Sequence, residues 1–329
     1  ERLDDPLPEH RNVIWCATFQ MAWDHLKQDI IKAPVKVLKA EALSDRLNKG
    51  QFPAGDIEAE SFYAAAGSVK DGIVGQVKRE MAKRFPSEPA PQFDEPYLSR
   101  PDALLAYAYL NLSVGFKYPY HATADAFGFT DSNGTRTDVT SFDAPYMPGD
   151  PNFTNLRDQV EILSCKFDPS GNMVSFAVDL CKETQPYQLV LAMVPRGGTL
   201  GETLAATLKD ISDFKNDPDY RQLRKLRPMR PRTETLRVPD VLCRLRHDYK
   251  ELLGKYIGNT GFEQTFICEA LQMVDFKLNR TGALLKSEAR MGTVAARGPV
   301  EIPREFHFDK PFLIYVKKRQ PDAKPFFVM

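Results

Sequence analysis

Apolar residues recur at helical spacing in the first hundred positions and at strand spacing afterwards. "NVIWCATFQMAWDHLKQDI", Asn12–Ile30, keeps its apolar side chains three and four apart and stops short of Pro34, which predicts a helix. "ESFYAAAGSVKDGIVGQVKREMAKRF", Glu60–Phe85, is alanine-rich and then amphipathic. Gly67 and Gly72 divide it into two predicted helical pieces. "PSEPAPQFDEP", Pro86–Pro96, is a proline-rich connector that cannot lie inside a helix. From Ala103 the pattern turns to strands. "ALLAYAYLNLSVGF" predicts a long one, and "DAFGFTD", "NGTRTDVTSF" and "VEILSCKFD" follow, with "SNGT" and "PSGN" as turns. "MVSFAVDLC" and "YQLVLAMVP" are apolar strands, and "GGTLGETLAATLKDISDF" is a helix entered through glycines. "DVLCRLRHDYKELLGKYIG" reads as strand then helix, and "FICEALQMVDFKLNRTG" as helix then strand.

The chain closes on "REFHFDKPFLIYVKKRQPDAKPFFVM", Arg304–Met329. Phe312–Val316 is apolar without interruption, as suits a strand covered on both faces. Lys317–Lys324 carries Pro321-Asp322, so a hairpin into a last strand is predicted. Helices early and strands late make an α+β protein.

Composition narrows the function classes without choosing one. Lys plus Arg and Asp plus Glu are 44 each, so net charge favours neither nucleic acid nor membrane. No apolar run reaches the roughly 18 residues of a membrane-spanning helix. The start, "ERLDDPLPEHR", has no signal-like segment, which leaves the compartment open. Cys16, Cys165, Cys181, Cys243 and Cys268 are scattered, without CxxC spacing. They read as free, buried thiols and not as a disulfide framework or zinc site.

Chemistry-bearing motifs are scarce. "PRGGTLGET", Pro195–Thr203, lacks the P-loop lysine and the dinucleotide glycine spacing, and reads as a turn and helix start. His10, His25, His121, His247 and His307 form no HExxH arrangement, and no serine lies in a GxSxG elbow. An enzyme has no residues to rest on, and no small-molecule substrate is evident. Lys215–Lys250 holds eleven Lys/Arg against five Asp/Glu, with Arg221, Arg224, Lys225, Arg227, Arg230 and Arg232 clustered. Such a run can bind a sulfated polysaccharide or another polyanion. "RTGALLKSEARMGTVAARGPVEIPREF", Arg280–Phe306, follows the strand "MVDFKL" with small residues, arginines, glycines and prolines, and reads as a long exposed loop.

The order of these segments resembles the serpin family. "LLAYAYLNLSVGFKYPYHATADAFGFTDSNGTRTDVTSFD" is similar to that family's central strand, Pro-Phe turn and "T…F" segment, with Pro119-Tyr120 and Thr123…Phe127 in those places. "YQLVLAMVPRGGTLGETL", "VPDVLCRLRHDYKELLGKYIGNTGF" and the closing Phe-His-Phe-Asp-Lys-Pro-Phe-Leu-Ile resemble later family segments. "NVIWCATFQMAW" matches the family's opening strand and helix more thinly. The likeness runs in order over 103–329. It implies one serpin-like domain over 1–329, with mixed β-sheets and several helices. Within it, residues 1–102 would form a mainly helical, shortened region. Residues 103–329 would be mainly β, with an exposed loop over 282–306. No cofactor is implied, and a secreted or periplasmic setting is compatible with it.

The resemblance also makes Gly282–Phe306 the reactive loop, which in inhibitory members a protease cuts and which then inserts into the main sheet. The hinge falls on Arg280, Gly282, Ser287, Glu288 and Ala289. The scissile region falls among Arg290, Ala296, Arg297, Gly298 and Val300, with Arg297-Gly298 the bond for a trypsin-like enzyme. Several positions depart from the family. Arg280 stands near the usual hinge glutamate, and Leu284, Leu285, Lys286 and Arg290 replace small residues. Aligning Ser287-Glu288-Ala289 with the family's Thr-Glu-Ala still leaves Arg290 and Met291 behind it. Ala108 stands for the usual asparagine and Phe116 for the usual tryptophan. The expectation is a non-inhibitory binding or structural module. The alternatives are a serine or cysteine endopeptidase inhibitor working by loop insertion, and a polyanion-binding module centred on Arg221–Arg232.

Overall fold

The computed structural model describes residues 3–93, 100–112, 114–144, 153–218, 229, 234–282 and 304–329. These fall into two compact units, one of Cys16–Leu112 with Cys243–Phe276, the other of Glu1–Trp15, Ser113–Leu242 and Lys277–Met329.

The first unit is built on a four-stranded sheet in the order β12 (Val241–Asp248), β13 (Phe266–Leu278), β3 (Ala103–Leu112) and β2 (Phe62–Ser68). Helix α1 (Thr18–His25), extended by a wider turn over Leu26–Ile31, and α2 (Glu41–Lys49) contribute to one buried cluster, with Trp23, Leu104, Ala106, Ala108 and Ala270. Helix α3 (Ile73–Arg84) contributes Ile73, Val77 and Met81 to a second cluster, with Tyr63, Leu105, Tyr107 and Leu271. Alternate residues of β3 thus enter different clusters, as the two-residue period of a strand requires. Every residue of β3 but Asn111 is buried. Strands β3 and β13 run parallel, from Ala103 opposite Phe266 to Leu112 opposite Phe276.

Three predicted elements differ here. Phe62–Ser68 is a strand, not a helical piece, paired antiparallel with β3 from Phe62↔Leu110 to Ser68↔Leu104. Its alanines favour a helix locally. Pairing overrides that preference, and the small side chains at Ala64 and Ala66 join the α1 cluster while Ala65 joins the α3 cluster. Residues from Phe266 are strand from the outset, because β3 offers a full parallel ladder, interrupted only by a bulge between Ile267 and Glu269. Beyond β12 the chain makes tight turns instead of a helix, with Leu252 N bonded to Tyr249 O and Gly254 at φ +70.

The second unit holds a six-stranded sheet ordered β1 (Trp15–Cys16), β16 (Phe327–Val328), β15 (Leu313–Lys318), β10 (Tyr187–Met193), β9 (Met173–Asp179) and β8 (Glu161–Phe167). The predicted terminal hairpin is β15–β16, with Tyr315 opposite Val328 and Val316 opposite Phe327. A four-stranded sheet follows the order β14 (Glu305–His307), β11 (Thr235–Pro239), β7 (Ser141–Asp143) and β4 (His121–Ala122). Strands β5 (Phe127–Thr130) and β6 (Arg136–Val139) form a hairpin. Its turn is organised by Asp131, whose carboxylate accepts from Asn133 N and Thr135 N. Helices α4 (Phe153–Asp158) and α5 (Leu200–Asn216) complete the unit. Helix α5 opens on a capping box of Thr199 and Glu202. Gly198 N and Thr199 N both donate to the Glu202 carboxylate, so this glycine turn spends its donors on its own helix and not on a phosphate.

Candidate functional site at the root of the loop

Strand β13 ends in Asn279-Arg280-Thr281-Gly282, a turn that is already chemically specified. The Asn279 side-chain oxygen accepts from Thr281 N at 3.0 Å and Thr281 Oγ1 at 2.8 Å, and Gly282 N donates to Asn279 O at 2.9 Å. A second segment, Gly115–Tyr120, receives this turn through its backbone. Tyr120 N donates to Arg280 O at 2.8 Å, Phe116 N to Thr281 O at 3.3 Å, and Gly115 bridges Gly282. Gly282 has φ +89, and a Cβ there would stand 2.2 Å from Val114 O and 2.7 Å from Phe116 N. Only glycine permits this approach.

The receiving segment is itself held firmly. Phe116 packs edge-on against Tyr120 at 4.8 Å, and Tyr120 lies 5.3 Å from Phe142. The Tyr120 hydroxyl donates to Leu180 O at 2.9 Å, and burial pushes its phenol well above the usual range. Thr184 Oγ1 donates to Gly115 O, and the Gln159 side chain bonds both Tyr118 N and Tyr118 O. Phe116 is therefore a packed aromatic of this segment.

Arg304, at the far end of the interval 283–303, is buried and donates through Nε to the buried Glu234 carboxylate at 2.5 Å. Thr235 N bonds Arg304 O, and β14 then runs parallel to β11. Ala108 is fully buried in β3, opposite Gln272 of β13. Gln272 supplies the polar contacts at that level. Its Nε2 donates to Cys16 O and Thr18 Oγ1, and its Oε1 accepts from the Tyr249 hydroxyl.

Of the residues singled out in the sequence, Arg280 and Gly282 come together here. Arg280 is exposed and Gly282 buried. Ser287, Glu288, Ala289, Arg290, Ala296, Arg297, Gly298 and Val300 lie outside the described residues, as do Arg221, Arg224, Lys225, Arg227, Arg230 and Arg232. The sequence reading missed Gly115, Asn279, Glu234 and Arg304. Only Asn279 had a local signal, its Asn-x-Thr spacing before a glycine. Cys16, Cys181 and Cys268 are buried free thiols, with burial pushing Cys16 up to about 11 and Cys268 up to about 12. Such thiols are poor nucleophiles. Among the described residues no group of three His, Cys, Asp or Glu could hold a metal ion, and no helix is long and apolar enough to cross a membrane.

No protein-family model and no curated protein matches the chain. Solved structures do. Native protease nexin-1 with heparin gives a TM-score of 0.53 at 11% identity, over 97% of this chain and 92% of that one. Tengpin, a thermophilic serpin in the native state, gives 0.51 at 12%, over 98% and 88%. Serpin48, a highly specific serpin of the insect Tenebrio molitor, gives 0.50 at 11%, over 97% and 91%. The fold is serpin-like. At these identities the likeness carries the architecture and nothing finer. Strand β13 precedes the interval 283–303, and β14 to β16 follow it.

Proposed function

We propose that this chain is a non-inhibitory serpin-like protein that acts by binding, with the segment between the Gly282 turn and buried Arg304 as a reactive-type loop that stays out of the sheet built on β3. The observation that carries the reading is the cover on β3. An inserted strand would run beside β3, whose alternate residues are buried in two different clusters. Residues two apart share a face, so Lys286, Glu288 and Arg290 would all enter one buried cluster. Glu288 can offset one of the two cations and leaves the other without a partner, an arrangement that costs several kcal/mol after relaxation. Inhibition by insertion is the competing reading, and its demand for small residues is what this loop sequence fails to meet.

The test is limited trypsin cleavage, with the cut mapped by mass and thermal unfolding followed before and after. We expect cleavage at Arg290 or Arg297 with an unchanged or lower Tm, and a protease that stays active. A large rise in Tm, or a denaturant-resistant complex with any protease of a broad panel, would transfer the protein to the inhibitor class.

A second reading rests on a different observation, the run of Arg221, Arg224, Lys225, Arg227, Arg230 and Arg232. Guanidinium groups match sulfate and phosphate geometry, and a structural neighbour is protease nexin-1 with heparin. The chain is expected to be retained on immobilised heparin and to elute as salt rises. Replacing Arg224, Lys225 and Arg227 together by alanine should abolish retention at physiological salt. Equal elution of the wild type and the triple variant would sink this reading and leave the first untouched.

A further inference from the structure

Four titratable or charged side chains stand in one row across the four-stranded sheet of the second unit. His121 on β4 lies opposite Asp143 on β7, Asp143 opposite Arg237 on β11, and Arg237 opposite His307 on β14. Directly opposed residues of neighbouring strands share a face, with Cβ atoms about 5 Å apart. Arg237 is fixed within that row. Its Nη2 donates to Asp125 O at 2.7 Å and Ala126 O at 3.3 Å, and its guanidinium lies 4.8 Å from the Phe127 ring centroid. Its charge therefore cannot swing away from a neighbour.

His307 sits at the weak end of the row. Strand β14 is three residues long and, among the described residues, lies at the edge of the sheet and pairs only with β11. Outside those pairs its backbone is tied by Thr235 N to Arg304 O and by Phe308 N to Arg237 O. The imidazole Nε2 is 2.9 Å from Thr235 Oγ1, and Nδ1 is 4.0 Å from the Glu305 carboxylate.

We propose that His307 is a proton-operated latch for the edge strand β14. Neutral, it closes the row beside Arg237. Protonated, it carries a charge in a half-buried place beside the fixed Arg237 cation, burial being the larger opposition, and β14 loosens from β11. The groups that face it are Arg237 and Thr235 on β11, with Glu305 and Asp309 on its own segment. Burial first, and Arg237 after it, oppose the proton; Glu305 and Asp309 favour it. The balance holds His307 below the ordinary imidazole value. A base whose folded-state pKa is depressed stabilises the fold fully above its unfolded value, about 6.5, and loses that contribution as pH falls through the folded value. The latch therefore opens on acidification and stays closed at neutral pH.

Hydrogen exchange on the full chain, comparing the wild type with His307→Gln at the same pH, removes the chemical pH dependence of exchange. At about pH 5.5, peptides over 304–309 and 234–239 should exchange roughly threefold or more faster in the wild type, with no difference at about pH 7.5. Peptides over β15 and β16 should not respond at either pH. The His307 ring proton should titrate below the ordinary histidine value by NMR, and Arg237→Met should raise that titration even if it also lowers overall stability. Equal exchange of the two proteins at the acidic pH, or an imidazole that titrates at or above the ordinary value, would overturn the proposal.

Discussion

Arg319→Met should lower the unfolding free energy by about 3–5 kcal/mol, the range for breaking a buried ion pair from one side. Asp179, at the end of β9, is fully buried, and Arg319 follows β15 directly. Arg319 Nη1 donates to Asp179 Oδ2 at 2.7 Å and Nη2 lies 3.4 Å from Oδ1. The same guanidinium donates to the carbonyls of Cys181 at 2.8 Å, Tyr187 at 3.1 Å and Thr184 at 3.0 Å. The connection between β9 and β10 is thus wound around one side chain. Methionine keeps most of the packing volume and removes every one of these donors. Asp179 would retain only Cys181 N and Gln188 Nε2, two neutral donors for a buried carboxylate. Urea unfolding measures the loss, and the slope should stay unchanged if the effect lies in the native state. The double variant Asp179→Asn, Arg319→Met should recover some of it, because no uncompensated charge remains. A loss under about 1 kcal/mol in Arg319→Met would mean the pair behaves as an exposed one.

That network also marks how far the sequence could be read. Strands whose burial follows their own apolar pattern were legible: β3, β9, β10 and β15 each read as apolar runs and each is buried over most of its length. Turns with local chemistry were legible too, since Asp131 and Asp168 hold theirs by carboxylate-to-backbone bonds within four residues. Illegible were the places where a distant partner decides. "FYAAAGS" becomes a strand only because β3 stands beside it, and nothing in those seven residues says so. Arg304 meets Glu234 seventy residues away in sequence, and Gly115 meets Gly282 across an even longer interval. The candidate site was accordingly half visible. Arg280 and Gly282 could be singled out from order and composition, whereas the receiving segment Gly115–Tyr120 and the Arg304 anchor are products of tertiary pairing.

Gly282→Ala is the sharpest test of that receiving contact. The substitution should cost about 2–4 kcal/mol, from left-handed backbone strain together with the loss of the neighbouring backbone bonds. The strain is specific: φ is +89, and the added methyl would meet only backbone, Val114 O, Phe116 N and the Gly115 Cα, none of which can rotate aside. Gly115→Ala is the matched control. Its Cβ would meet nothing within 4 Å, so a change within about 0.5 kcal/mol is expected although it bridges the same turn. Hydrogen exchange should show faster exchange of the Phe116 and Tyr120 amides in Gly282→Ala and none in Gly115→Ala, which separates a broken contact from general destabilisation. The sign of the stability change also bears on function. A loop that cannot enter the sheet leaves Gly282→Ala simply less stable. A variant that becomes more stable than the wild type would mean that freeing the root lets the loop insert, and the inhibitor reading would then displace the binding one.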